Sequence, residues 1–264
     1  MNRASFNIGG INIYYYSIMM LCAIIVAYIV IMREAKQRNI DRDFFTNLIF
    51  YCIIFGFLGA RIYYVLFNWN YYSHNPIEII QIWNGGLAIH GGLIGGFITL
   101  VLYSKKYKQN VFKITDISVV GIILAQAIGR WGNFFNGEAY GPSTTLAALK
   151  AQYIPKFIID GMKIGGVYHY PTFLYESIWN LLGFIFLIIL RKKKRLKTGV
   201  ISGAYLMWYS FGRFIIEYYR TDSLKLGSIK VAMLVSVILF VIGLIIILVV
   251  NKSNKLENLY NDNN

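Results

Sequence analysis

Three arginines, Arg61, Arg130 and Arg213, lie inside or at the edge of long apolar stretches of the chain. A charge placed centrally in a membrane helix costs at least about 2.5–3.5 kcal/mol on insertion scales, so each is read first as part of a functional site. The guanidinium is a planar fork of donors suited to phosphate or carboxylate. Other polar groups gather along the same segments. Arg130 and Asn133 are one helical turn apart, and Asn136 and Glu138 follow them. Tyr209, Arg213, Glu217 and Arg220 fall at i, i+4, i+8 and i+11, on one helix face, where Glu217 can pair with Arg213 and with Arg220. Glu176 and Asn180 open one apolar run, Tyr16 opens the first, and His90 stands before a glycine-rich one. Groups of these types could bind an anion in an apolar medium and move a proton near neutral pH, with His90 the titratable candidate. Two plainer readings compete: Glu217 and Arg220 as a structural ion ladder, and the arginines as side chains reaching up to the membrane surface.

The elements that must carry these residues are set by composition. Of 264 residues, 57% are hydrophobic and 14% charged, well below the roughly 25% charged of soluble domains. The apolar residues come in blocks long enough to cross about 30 Å of hydrocarbon, which takes about 20 residues as a helix, and backbone groups in lipid require helices or closed barrels. The sequence predicts an all-α integral membrane protein of about seven transmembrane helices, near 13–32, 44–67, 85–103, 115–135, 172–190, 199–217 and 231–250. The interruption at about 136–171 is rich in Gly and Pro and predicts a small cap between two spans, too short to stand as a domain of its own. The chain thus reads as a single polytopic domain. Cys22 and Cys52 both fall inside proposed spans, where packing rather than a disulfide is expected. The first span has no short cleavable h-region and reads as a retained anchor.

The net charge of +14 is not spread evenly. The loops after the first, third and fifth spans carry Arg33, Lys36, Arg38, Arg42, Lys105, Lys106, Lys108, Lys113, Arg191, Lys192, Lys193, Lys194, Arg195 and Lys197, and the tail adds Lys252 and Lys255. The opposite side has Arg3, Lys150, Lys156, Lys163, Arg220, Lys225 and Lys230. Positive residues stay cytoplasmic, which puts the N-terminus outside, the C-terminus in the cytoplasm and the cap on the extracytoplasmic side. The excess is therefore an orientation signal and a contact with anionic membrane lipids, and not a nucleic-acid footprint. With this orientation Arg61, Arg130 and Arg213 sit near the outer ends of their spans, and His90, Glu176, Asn180 and Tyr16 fall at the same level. A cavity opening to the outer leaflet accounts for that. A permeation path would place polar groups at the midplane or on both sides.

One run is longer than any helix-packing motif: Gly129-Arg130-Trp131-Gly132-Asn133-Phe134-Phe135-Asn136-Gly137-Glu138-Ala139-Tyr140-Gly141. It resembles the signature of the bacterial prolipoprotein diacylglyceryl transferase family. The blocks Gly59–Phe67, His90–Gly95, Pro171–Glu176 and Gly212–Arg220 agree with that family in order. Two positions depart from its usual pattern: Tyr170 stands before Pro171, with His169 one place earlier, and Phe173 stands where Gln is common.

The resemblance implies transfer of the diacylglyceryl group of phosphatidylglycerol to the lipobox cysteine of prolipoprotein signal peptides, with glycerol phosphate released and no metal or cofactor. It implies a multi-pass protein of the bacterial cytoplasmic membrane. His90, Arg213, Tyr209 and Glu138 would then be catalytic, and Arg130, Asn133, Tyr16 and Gly141 would bind phosphatidylglycerol. Arg61, Glu217, Arg220, Asn136 and Glu176 would support them. Arg130 and Arg213 would hold the lipid phosphate, and His90 would take the thiol proton or polarise the leaving oxygen. A different lipid-head-group transferase would use the same arginines, and residue physics alone does not separate the two.

Overall fold

In the computed structural model the described residues are 5–8, 11–221, 224–227, 229–252 and 259–261. Arg3 and Lys255, part of the charge balance, lie outside them. Ten α-helices are present among the described residues: α1 Tyr15–Gln37, α2 Arg42–Phe67, α3 Trp69–Tyr72, α4 Ile89–Lys106, α5 Val111–Asn136, α6 Leu146–Ala151, α7 Lys156–Gly161, α8 Thr172–Leu190, α9 Val200–Tyr219 and α10 Val231–Lys252. The seven long ones, of 18 residues or more, overlap the seven apolar segments of the sequence. By length and composition α1, α2, α5, α8 and α10 can cross a membrane. α4 is shorter, at 18 residues, and α9 carries Arg213 and Glu217.

The short strands are β1 Ser5–Ile8, β2 Ile11–Tyr14, β3 Ser143–Thr144, β4 Lys163–Ile164, β5 Val167–His169, β6 Lys225–Leu226 and β7 Ile229–Lys230. They form two hairpins, β1–β2 and β6–β7, and a three-stranded sheet in the order β3-β5-β4. These are too short for the apolar-block reading to register.

The chain divides into two compact units, one of residues 32–115 and one of residues 1–31 with 116–262. In the first, α2 and α4 pack without side chains between them. A Cβ on Gly59 would lie 2.5 Å from the Gly91 carbonyl oxygen, and one on Gly95 would lie 2.5 Å from that of Phe55. Small residues thus let the two backbones touch, as membrane helices require when apolar burial gives no net drive. Between α2 and α4 the chain runs through α3 and two 3-10 turns, Pro76–Ile80 and Ile82–Asn84. Helix α4 begins at Ile89 and not at Gly85, as the apolar pattern predicts. Gly85 and Gly86 take φ of 87° and 74°, a left-handed backbone that glycine adopts without penalty and a helix cannot.

In the second unit α9 is held from both sides. The Trp179 indole donates to the Trp208 carbonyl and the Trp208 indole to that of Trp179, which ties α8 to α9. Gly203 and Gly243 let α9 and α10 approach so closely that a Cβ on either would fall within 2.8 Å of the other's carbonyl oxygen. The start of α9 is capped from α5: the buried Asp116 carboxylate accepts from Gly199 N and Ser202 N, each at 2.7 Å, and from Ser202 Oγ at 2.5 Å. Its far end is capped by Lys230, whose Nζ donates to the carbonyls of Glu217, Tyr218 and Arg220 at 2.7, 3.0 and 2.6 Å. An acceptor at the N-terminus and a cation at the C-terminus satisfy the free ends of the helix and complement its dipole.

Residues 137–171 carry α6, α7 and the three-stranded sheet. Their core is Leu149, Ile154, Ile158, Ile159 and Met162, joined by Phe173 of α8 and packed against Trp131 and Phe134 of α5. The cap therefore rests on the very helix ends that carry the polar motif.

Candidate active site

The polar motif starts as a local device in α5. Arg130 and Asn133 are one turn apart on one face, and Arg130 Nη1 donates to Asn133 Oδ1 at 3.3 Å. The helix ends at Asn136, where Gly137 turns the chain with φ 62°. That turn brings Glu138 back over the last helical turn. Its carboxylate accepts from Asn133 Nδ2 at 2.9 Å and from Asn136 Nδ2 at 3.5 Å. A chain of hydrogen bonds therefore runs from Arg130 through Asn133 to Glu138.

The spacing of the motif has a packing reason as well. Gly132 is flat because the Tyr16 ring lies against it; a Cβ there would fall 2.9 Å from Tyr16 Cδ2. This seats the Tyr16 phenol in the fields of both Arg130 and Glu138. Gly141 is buried for a similar reason. A Cβ would meet Tyr170 Cβ at 3.0 Å and Thr172 Cγ2 at 3.1 Å, its N–H donates to the Tyr170 carbonyl at 2.9 Å, and the His169 ring bonds its carbonyl at 3.0 Å. The Thr172 hydroxyl donates to the carbonyl of Ala139. In the described structure His169 thus ties β5 to the motif's end.

Tertiary packing then adds a carboxylate from a second helix. Glu176 of α8 pairs with Arg130 through Oε1 at 2.7 Å and with Arg213 of α9 through Oε2 at 3.2 Å. Arg213 also pairs with Glu217 at 2.7 Å, and Arg220 lies 3.9 Å from the same Glu217 oxygen. The Glu176 side chain is 4% exposed and that of Glu217 2%, whereas Arg130 keeps 21% and Arg213 15%. The carboxylates are sealed behind the guanidiniums, and the accessible edges of the pair are cationic. The Tyr209 hydroxyl lies within hydrogen-bonding reach of Arg130, one helical turn from Arg213. Arg130, Asn133, Glu138, Tyr16, Glu176, Arg213, Tyr209, Glu217 and Arg220 are all parts of this one unit.

Arg61 and His90 belong to the other unit. Four of the five N–H donors of the Arg61 guanidinium meet backbone: Nε donates to Ile79 O at 2.8 Å, Nη1 to Gly85 O and Gly86 O at 2.8 and 2.9 Å, and Nη2 to Glu78 O at 2.5 Å. The Tyr72 ring covers it, with a centroid distance of 5.2 Å. Arg61 is the post around which residues 69–88 fold. On that same segment the Tyr71 hydroxyl donates to Glu78 at 2.8 Å, which, with the carboxylate's charge, raises the phenol's pKa. His90 is exposed in the first turn of α4, with its ring 6.2 Å from that of Tyr63.

Sequence reasoning gives Glu176 only a supporting place, yet it is the residue that joins two helices' arginines. The available signal is a carboxylate in the first turns of an otherwise apolar run. Gln126 and Tyr205 go unnoticed: Gln126 Nε2 donates to the Tyr205 hydroxyl at 3.0 Å, and they lie four residues before Arg130 and Tyr209.

Apolar helices that hold two guanidiniums on one buried carboxylate define the class: a helical membrane protein with a charged centre among its helices. The family model described as prolipoprotein diacylglyceryl transferase matches residues 3–249. The chain is 52% identical over 249 residues to the phosphatidylglycerol–prolipoprotein diacylglyceryl transferase of Staphylococcus haemolyticus, covering 94% of this chain and 88% of the relative. It is 49% identical to that of Staphylococcus xylosus, over 93% and 88%, and 50% identical to that of Staphylococcus aureus strain Newman, over 94% and 88%. The chain belongs to the prolipoprotein diacylglyceryl transferase family.

Proposed function

We propose that the Arg130–Glu176–Arg213 centre holds the phosphate of phosphatidylglycerol while its diacylglyceryl group passes to a cysteine thiol. The reaction is the family's: this membrane enzyme transfers diacylglyceryl from phosphatidylglycerol to a prolipoprotein, the first step of lipoprotein maturation. The observation that carries the site reading is the pairing of Glu176 with both arginines, which holds two phosphate-binding forks side by side without consuming all their donors.

The chemistry sets what the site must do. The sulfur of the lipobox cysteine forms a bond to the terminal glyceryl carbon. The bond from that carbon to the phosphate oxygen breaks, and the oxygen leaves with the electron pair as glycerol phosphate. Negative charge grows on the phosphate as the bond breaks, so guanidiniums fixed in advance stabilise the transition state more than the bound lipid. The thiol proton goes to a base, and the candidate the sequence offers for it is the imidazole of His90, exposed at the start of α4. Asn133 and Glu138 hold the Arg130 head in place, with Glu138 also suited to accept from the glycerol hydroxyls, and Tyr16 and Tyr209 complete the lining.

The orientation follows from the basic loops. All seven long helices span the bacterial cytoplasmic membrane, α4 and α9 included, as one polytopic domain. The N-terminus and cap lie outside, and the site opens to the outer leaflet, where donor lipid and signal peptide meet. The partners are phosphatidylglycerol, lipobox-bearing precursors and the surrounding anionic lipids. On the inner side of the centre Ile117, Val120, Ile123, Leu187 and Ile201 are fully buried apolar side chains, which supports a closed pocket in this unit and not a path through it.

The test is mass spectrometry of a lipobox peptide incubated with purified protein and phosphatidylglycerol. The wild type adds one diacylglyceryl group and releases glycerol phosphate. Arg130→Ala and Arg213→Ala each lower kcat by about 10²–10³-fold, the loss typical of removing one preorganised charge-stabilising donor. Full turnover in both variants overturns the site assignment.

A further inference from the structure

One turn inward from Glu176 on the same face of α8 lies Asn180, with no exposed surface. Neither its Oδ1 nor its Nδ2 has a hydrogen-bond partner among the described residues. Buried amides of this kind are rare, because an unmet donor or acceptor carries its whole desolvation cost. In an apolar helix of a membrane protein nothing is gained by such a side chain unless something polar meets it.

The surroundings of Asn180 are fixed by bonds to both neighbouring helices. Ser177 Oγ donates to the Ala127 carbonyl at 2.8 Å, which sets α8 against α5, and the paired tryptophans set α8 against α9. At the level of Glu176 the three helices contribute Arg130, Glu176 and Arg213. One turn inward the corresponding residues are Gln126, Asn180 and Tyr209, four residues from each. The Gln126 Nε2 is spent on Tyr205, and its Oε1, also buried, has no partner among the described residues. Deeper still the layer is closed: a Cβ on Gly183 would meet Ile123 Cδ1 and Trp208 Nε1, each at 2.5 Å.

We propose that Asn180 is a positioning residue which, with Gln126, holds internal water beneath Glu176 and through it fixes the carboxylate that bridges Arg130 and Arg213. An amide offers both donors and acceptors, as does water, and the unmet atoms of Asn180 and Gln126 present the several polar partners that a buried water requires. A second polar layer of this kind orients the groups above it, much as outer-shell partners orient metal ligands. The inference rests on the reading of the arginine centre as the phosphate site.

The test is a steady-state comparison of Asn180→Leu, Asn180→Ser and Asn180→Ala with the wild type, each variant also followed by thermal unfolding. Leucine has nearly the same volume and removes the unmet amide, so a merely structural asparagine yields a variant as stable as the wild type, or more so, with full activity. The expected result is a stable Asn180→Leu enzyme whose kcat falls by about tenfold or more, with KM for phosphatidylglycerol little changed because both arginines remain. Asn180→Ser, which keeps a hydroxyl and leaves room for water, should recover most of that loss. If Asn180→Leu does not fold, the Ser and Ala variants decide: they differ by one oxygen, a several-fold higher kcat for Ser supports the proposal, and equal values overturn it. Wild-type turnover in Asn180→Leu also overturns it. Arg130→Ala in the same assay separates the two readings: if it is inactive while the Asn180 series is indifferent, only the water layer falls, and if it is fully active, the phosphate site falls with it.

Discussion

Trp179 and Trp208 exchange hydrogen bonds across α8 and α9, each indole Nε1 donating to the other's backbone carbonyl at 3.0 Å, with the rings stacked 4.6 Å apart. The pair sets the register of the two helices. Three residues before Trp179 stands Glu176, and five after Trp208 stands Arg213, so the same register closes the ion pair of the site. Gly212 serves it too, since a Cβ there would fall 2.1 Å from Trp179 Nε1. Replacing either tryptophan by Phe removes one hydrogen bond and part of the stack, and should cost about 2 kcal/mol. The double variant should lose less than the sum, because the two bonds act as one lock. Thermal unfolding of the purified protein measures both, and an additive double variant would rule the lock out.

Glu176→Gln keeps the shape and removes the charge that Arg130 and Arg213 share. Stability should fall by about 3 kcal/mol, the lower end of losses for broken buried pairs, since both arginines keep some exposure. Phosphatidylglycerol should bind at least as well, because the guanidiniums have lost their internal counter-charge, while kcat drops by about a hundredfold as they lose their fixed placement. Separate determinations of kcat and KM check this. A variant that loses lipid binding while keeping kcat contradicts it.

Arg61 predicts a different signature. Its guanidinium meets four backbone carbonyls in separate directions, which the three donors of a lysine ammonium at a single point do not reproduce. Arg61→Lys should therefore behave almost like Arg61→Ala. In both, the segment 69–88 should loosen and become cleavable by protease under conditions where the wild type resists. Resistance equal to wild type in the lysine variant would show that charge alone suffices.

The glycines between α2 and α4 are not equivalent. Gly59→Ala places a methyl against the Gly91 carbonyl at 2.5 Å and should cost about 1–3 kcal/mol by forcing the helices apart. At Gly96 the nearest atom is the Cys52 carbonyl oxygen at 3.8 Å, so Gly96→Ala should be neutral or slightly stabilising through helix propensity. Unfolding midpoints of the two variants give the comparison. Equal losses would mean that propensity, not contact, governs this helix pair.

The helices were legible because of a coarse and strong rule, that long apolar runs are helical where lipid surrounds them; each of the seven segments so read overlaps a long helix, and five of these helices are long and apolar enough to cross a membrane. The misplaced start of α4 shows where that rule ends. Gly85 and Gly86 are apolar by composition, and only their left-handed backbone, with carbonyls turned toward Arg61, removes them from the helix. The 3-10 turns, the cap's helices and the short strands were not legible, since segments of two to six residues carry no period.

Within the site, spacing alone predicted the pairing of Glu217 with Arg213 and Arg220, because neighbours three and four apart on a helix must meet. It also placed Arg130 beside Asn133. No spacing could pair Glu176 with Arg130 and Arg213, which stand 46 and 37 positions away along the chain. That pairing depends on how α8 is rotated and where it is set against α5 and α9. Hydrophobicity along the chain fixes which segments are long and apolar enough to be helices in a membrane. The rotation and register of each helix are decided by side-chain interlocking: Trp179 with Trp208, Ser177 with Ala127, Asp116 with Ser202. These are short-range forces between residues distant in sequence, so the sequence by itself determined the bundle and the polar residues within it, and only the tertiary structure decided which of those residues face one another.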